Sequence, residues 1–123
     1  MLFDTSVLIA HLRGDVRATD LLLSVPTAER LASVLVRVEI EGGMRSDEHA
    51  SVAGLIESMR LVPVTDSIAR RAGEHLRRFR RSHPGIDLVD YVIAATAEAH
   101  ETSLVTLNVK HFPMFSGLAK AFD

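Results

Sequence analysis

Short apolar runs alternate with segments of helical periodicity along the chain. Four apolar runs predict strands, over residues 1–3, 30–33, 61–64 and 103–107. Apolar positions that recur every three or four residues predict helices, over residues 7–12, 16–24, 35–44, 47–59, 68–79 and 87–100. Because strands alternate with helices, the pattern indicates an α/β layer fold with a mostly parallel central sheet.

Polar residues at the ends of these elements predict where the helices begin and where ligands bind. Ser6 is a candidate cap for the first helix, and either Asp66 or Ser67 for the fifth. Parallel sheets bind ligands beyond the carboxyl ends of their strands. Asp4 follows the first apolar run and Asn108 follows the last, so both are expected on that side.

Composition and charge narrow the classes of protein. The length predicts a single domain over residues 1–123. The absence of cysteine excludes disulfides, zinc–thiolate sites and thiol nucleophiles. No apolar stretch is long enough to span a bilayer and the start lacks the pattern of a secretory signal, so a cytoplasmic protein without membrane contact is expected. The net charge of −2 means that any contact with nucleic acid must come from a local patch.

Four acidic residues each interrupt an apolar stretch: Asp4, Glu39, Asp87 and Asp90. Charged side chains in such surroundings are usually paired or bound to metal. Two carboxylates about 4 Å apart repel by on the order of 4 kcal/mol at an effective dielectric constant near 20. A hard divalent cation would relieve the repulsion, and oxygen ligands favour Mg²⁺ or Mn²⁺ over zinc. Taken alone, each acid could equally be a helix cap or an exposed charge.

Arginines crowd the fifth predicted helix and its end. They are Arg70, Arg71, Arg77, Arg78, Arg80 and Arg81. They form either a solvated face or a patch that follows the phosphates of RNA beside the acidic residues, and the sequence leaves both open. The chain has one Tyr and no Trp, so stacking platforms are scarce and recognition of the RNA backbone and shape is favoured.

Four segments resemble, in order, the motifs of PIN domains. Residues 4–9 (DTSVLI) are similar to D-T-[SN]-x-L-I, and residues 33–40 (SVLVRVEI) to S-x-x-x-x-x-E-[LI]. Residues 90–97 (DYVIAATA) are similar to D-x-x-I-A-A-[TH]-A, and residues 106–112 (TLNVKHF) to T-x-[ND]-x-x-x-F. Order, spacing and length agree over essentially the whole chain, which resembles in particular the toxins of VapBC-type toxin–antitoxin pairs.

The resemblance implies a three-layer α/β/α sandwich and an endoribonuclease that depends on Mg²⁺ or Mn²⁺. Asp4, Glu39 and Asp90 match the metal-binding carboxylates of the family, and Ser6 matches the polar residue that helps to hold the site. Asn108 matches a fourth position where many relatives carry Asp. Asp87, three residues before Asp90, is our candidate for the missing carboxylate. The implied partners are an RNA substrate, a small VapB-type antitoxin that covers the acidic groove, and a second copy of the chain in a homodimer.

Three other kinds of protein share features with this sequence. A phosphoreceiver domain needs an acceptor Asp at the end of a central strand, whereas residues 51–59 are helical in pattern and contain only Glu57 as an acid. A nucleotide-binding domain needs a glycine-rich loop, and neither common form occurs. A PIN fold without catalysis, which binds RNA or protein, stays open. Asn108 favours this alternative, and the three matching carboxylates oppose it.

Overall fold

The computed structural model describes residues 1–123 and contains four short strands and six helices. The strands are β1 (Leu2–Phe3), β2 (Leu31–Ser33), β3 (Arg60–Val62) and β4 (Leu104–Val105). The helices are α1 (Thr5–Leu12), α2 (Val16–Leu23), α3 (Val34–Gly43), α4 (His49–Glu57), α5 (Asp66–Phe79) and α6 (Leu88–Ala99). Two single 3₁₀ turns, Thr27–Glu29 and Val109–His111, complete the regular structure.

The strands form one sheet in the order β3-β2-β1-β4, and every pair is parallel. Leu2 pairs with both Leu31 and Leu104, so β1 is a central strand and β4 an edge strand. The predicted three-layer α/β/α sandwich with a parallel sheet is therefore confirmed. Because Phe3 is in register with Val105, the residues that follow them, Asp4 and Thr106, leave the sheet at the same edge.

Two apolar clusters hold the layers together. The larger cluster contains residues of all four strands, of α1 to α4, and of one face of α6. The smaller cluster lies between α5 and the other face of α6, around the fully buried Tyr91. On that face His75 and Arg71 of α5 pair with Glu98 of α6. No helix of the chain is both long and apolar enough to cross a membrane.

Several element ends differ from the sequence predictions. The predicted cap Ser6 is wrong, because α1 begins at Thr5 and Asp4 is its N-cap. The expected cap of α5, Asp66 or Ser67, is also wrong, since the Thr65 hydroxyl accepts from the backbone of Ile68. In both cases a polar residue one or two positions earlier has the extended backbone that a cap requires.

The segment after β4 folds back over the edge of the sheet. The backbone N–H of Ala121 donates to the carbonyl of Thr106 at 2.9 Å, beside the edge strand. The ring of Phe122 lies 4.6 Å from the guanidinium carbon of Arg17 in α2. Phe112 is 1% exposed and belongs to the larger cluster, so it anchors the start of this segment. The return of the chain covers an edge that would otherwise offer unpaired backbone groups.

We expect Phe112→Ala to lower the free energy of unfolding by about 3–5 kcal/mol, because the substitution leaves a cavity in the core beneath the C-terminal segment. Chemical denaturation followed by circular dichroism measures this change. The matched truncation is Leu88→Ala, at a side chain that is 63% exposed, and it should change stability by less than about 0.5 kcal/mol. Equal effects of the two substitutions would contradict the assignment of Phe112 to the core.

Candidate active site

The candidate site is built around Asp4, which joins β1 to α1 at the carboxyl edge of the sheet. Its side chain caps α1, with Oδ1 accepting from the backbone N–H of Thr5 at 2.9 Å. Its own backbone N–H donates to the carbonyl of Val105 at 2.9 Å. Asp4 is 3% exposed, and hydrogen bonds of both its side chain and its backbone hold it in place.

Two hydroxyl groups hold the other oxygen of this carboxylate. Thr106 Oγ1 donates to Asp4 Oδ2 at 2.7 Å, and Ser6 Oγ donates to the same oxygen at 2.9 Å. The backbone N–H groups of Leu107 and Asn108 donate in turn to the Ser6 and Thr106 hydroxyls, at 3.0 and 2.9 Å. The result is a hydrogen-bonded link between the ends of β1 and β4 that fixes where the acid points.

Glu39 reaches the same place from the second turn of α3. This helix follows directly from β2, whose last residue, Ser33, caps it. Glu39 is exposed, yet Thr5 Oγ1 donates to Glu39 Oε1 at 2.6 Å. Since the N–H of Thr5 donates to Asp4, one residue of α1 joins the two carboxylates.

Asp90 is half-buried at the start of α6 and has two neighbours on one oxygen. Asp90 Oδ2 accepts from the backbone N–H of Asp87 at 3.3 Å and lies 3.0 Å from His111 Nδ1. Burial of the Asp90 carboxyl raises its pKa above the ordinary value, and the negative charges of Asp4 and Asp87 add to the rise. The hydrogen bond from Asp87 and the nearby His111 act in the opposite direction. His111, which faces Asp90, donates its backbone N–H to the carbonyl of Asn108, and Asn108 is bound to the Thr106 hydroxyl that holds Asp4. This chain of contacts joins the two acids in one site.

The remaining candidates lie at the rim. Asp87 is exposed and caps α6, where its Oδ1 accepts from Val89 N–H at 3.4 Å and completes a capping box with Asp90. Asn108 is exposed directly after Leu107, and its backbone is bound to Thr106. Sequence reasoning missed Thr5 and Thr106 as site residues, although both stand inside the family motifs.

The donor set suits a hard divalent cation. Asp4, Glu39 and Asp90 offer carboxylate oxygens from three different elements, and no sulfur is present in the chain beyond methionine. No three acidic or histidine side chains gather closely enough to form a complete cage of protein ligands. Mg²⁺ typically binds through one or two carboxylates and keeps several waters, so these residues fit it by chemistry.

The arginines of α5 are exposed along the helix and its end. Arg71 is bound to Glu74 and Glu98, whereas the other five form no ion pair. Residues 67–71 at the start of α5 lie beside residues 95–99 at the end of α6, so the two helices run antiparallel. The C-terminal end of α5 therefore lies at the same end of the helix pair as the start of α6, where Asp87 and Asp90 stand. The arginines at this end are Arg77, Arg78, Arg80 and Arg81.

Known proteins resemble this chain along nearly its whole length. "Ribonuclease VapC10" of Mycobacterium tuberculosis is 52% identical over 99% of this chain and 92% of its own. "Ribonuclease VapC19" of the same organism is 44% identical over 95% of both chains. These identities are high enough to relate the chains by descent, not by fold alone.

Solved structures agree on the fold. A toxin–antitoxin complex from Klebsiella pneumoniae contains a chain that matches with a TM-score of 0.83 at 24% identity, covering 99% of this chain and 98% of that one. A chain of the DNA-bound VapBC structure from Salmonella typhimurium matches with a TM-score of 0.77 at 20% identity, covering 90% and 88%. The model of the family described as "PIN domain" matches residues 1–114. The chain belongs to the PIN domain family.

Proposed function

We propose that the chain is an endoribonuclease that depends on Mg²⁺ or Mn²⁺ and acts as the toxin of a toxin–antitoxin pair. The observation that carries the proposal is the buried carboxylate of Asp4, which is held by three donors and joined through Thr5 to Glu39. Two relatives named ribonucleases support the same activity.

In the proposed reaction Asp4, Glu39 and Asp90 would hold the cation, directly or through waters. The bound ion would supply an activated water for attack on a phosphodiester and would neutralise charge in the transition state. Ser6 and Thr106 keep Asp4 oriented, since both hydroxyls donate to the same oxygen. Asp87 adds negative charge beside Asp90, and the exposed Asn108 would orient a water or the substrate.

The proposed partners follow from the same surface. The RNA backbone would contact arginines at the C-terminal end of α5, beside the acids. A VapB-type antitoxin would cover the acidic groove, a proposal supported by the fold shared with the toxin–antitoxin complex from Klebsiella pneumoniae. A homodimer is proposed as well, supported by apolar side chains that stay exposed on the monomer, among them Val16 and Leu23 of α2.

Asp90→Asn is expected to lower the rate of RNA cleavage by more than about a hundredfold, because the substitution removes a charged ligand while keeping its shape. Glu39→Gln should also lower the rate, whereas Glu41→Gln on the same helix should not, since Glu41 pairs only with Arg37. The measurement is cleavage of a panel of structured RNAs with Mg²⁺, Mn²⁺ or EDTA. Cleavage at full rate by Asp90→Asn, or in EDTA, would overturn the assignment.

Thr106→Val is expected to reduce cleavage by about 10- to 100-fold, because Asp4 loses one of its two hydroxyl donors. The concentration of Mg²⁺ at half-maximal rate should rise with it, a change that a general loss of fold would not produce. Thr106→Ser keeps the hydroxyl and should restore both values. If valine and serine behaved alike, Thr106 would have no positioning role.

The raised pKa of Asp90 predicts a pH-dependent stability. A carboxyl whose pKa is higher in the folded state favours folding at low pH, and this contribution is lost as pH rises through that pKa. Metal-free Asp90→Asn should therefore have a higher Tm than the unsubstituted protein at neutral pH, with the gap closing in acid.

Thermal unfolding with and without Mg²⁺ completes this test. Mg²⁺ should raise the Tm of the unsubstituted protein and of Glu41→Gln, because a ligand that binds only the folded state stabilises it. It should leave Asp90→Asn unchanged. An equal rise in all three proteins would place the cation elsewhere. No rise in any of them would favour a PIN fold that binds RNA or protein without catalysis.

A further inference from the structure

Only two of the 14 Lys and Arg residues of the chain are lysines, and both line the same cavity. The cavity has a volume of about 520 Å³ and lies between the end of β4, the 3₁₀ turn after it, and the C-terminal segment. Its lining consists of Leu107, Asn108, Val109, Lys110, His111, Leu118 and Lys120.

The fold of the C-terminal segment brings the second lysine to this place. Lys110 stands in the 3₁₀ turn directly after β4, whereas Lys120 is ten residues further along. The hydrogen bond from Ala121 N–H to the Thr106 carbonyl returns the segment to the edge of the sheet. Lys120, the residue before Ala121, thereby comes to the cavity that Lys110 already lines.

The charged side chains that line the cavity are all basic. No carboxylate is among its lining residues, and neither lysine forms an ion pair. Four other surface cavities each include at least one glutamate. In a chain of net charge −2, two unpaired ammonium groups beside an imidazole and an amide form a local anion-binding surface.

The cavity shares residues with the acidic site. His111 lines it and lies with Nδ1 3.0 Å from Asp90 Oδ2. Asn108 also lines it, and its backbone donates to the hydroxyl of Thr106 that holds Asp4. An anion in the cavity is therefore next to the carboxylates. A strand of RNA with one phosphate at the acids has another phosphate one nucleotide away.

We propose that this lysine cavity binds a phosphate of the RNA backbone next to the one that is cleaved. The inference rests on the proposed function for its substrate. The ammonium groups of Lys110 and Lys120 supply charge, and the Asn108 amide supplies a further donor. Lysine binds phosphate as a point charge, so the contact carries no base preference and holds the strand without reading its sequence.

The test is binding of a labelled oligouridylate in EDTA, followed by fluorescence anisotropy, so that neither cleavage nor metal is needed. Lys110→Gln/Lys120→Gln should weaken binding by about tenfold near physiological salt. The logarithm of the association constant falls linearly with the logarithm of the salt concentration. The magnitude of this slope should decrease by about 0.7 for each phosphate that the variant no longer binds. Lys110→Arg/Lys120→Arg should bind as the unsubstituted protein does. An oligonucleotide with uncharged methylphosphonate linkages should not distinguish the variants.

Lys120→Gln alone should also weaken binding, and its matched control is Arg60→Gln, which removes one exposed, unpaired charge at the start of β3, toward the opposite edge of the sheet. Unchanged affinity in the double lysine variant, or equal losses in Lys120→Gln and Arg60→Gln, would overturn the proposal. Polyglutamate serves as a second probe. If the double lysine variant lost affinity for polyglutamate but not for the oligouridylate, the cavity would bind an acidic protein segment, and the proposal would also be overturned. If the double variant weakens binding while the unsubstituted protein cleaves no RNA, the proposed function fails and the phosphate site stands.

Discussion

The hydrogen bonds to the carboxylate of Asp4 are the interaction on which the site depends. A buried ionised acid is costly unless its oxygens are satisfied, and here a backbone N–H and two hydroxyls satisfy them. The same three donors come from α1 and from the residue after β4. The hydrogen bonds that satisfy this one carboxylate therefore connect the central strand β1 to the edge strand β4 and fix the first turn of α1. The fold and the candidate site depend on the same bonds.

The charge of Asp90 is less well satisfied by hydrogen bonds than the charge of Asp4. Asp90 accepts one weak backbone bond and faces His111, yet its pKa is still raised, so its charge lowers the stability of the fold at neutral pH. The alanine-rich face of α6 offsets this, because Ala94 and Ala97 pack into the larger cluster just beyond the acid. A destabilised carboxylate at the end of a well-packed helix is a common arrangement where charge is kept for chemistry.

The sequence predicted the layers of the fold because they follow from local periodicity. It also predicted that Asp4 and Asn108 leave the sheet at one edge, since parallel strands end together. It placed the start of α1 at Ser6 because a serine is a good cap, whereas the backbone turns at Asp4. The partners of the acids could not be predicted. Thr106 lies 102 residues from Asp4, and its contact exists only because β4 pairs with β1.

Because its residues are far apart in the sequence, the acidic site forms only when the two ends of the chain come together. Asp4 and Thr106 meet only after β4 docks beside β1, and Lys120 reaches its cavity only after the C-terminal segment returns to Thr106. Contacts between such distant residues carry an entropy cost of loop closure, which the pairing of β4 with β1 must offset. A chain with only its first three strands in place would carry Asp4 and Glu39 without Thr106 or His111. The acidic site is therefore complete only in the finished fold of the whole chain.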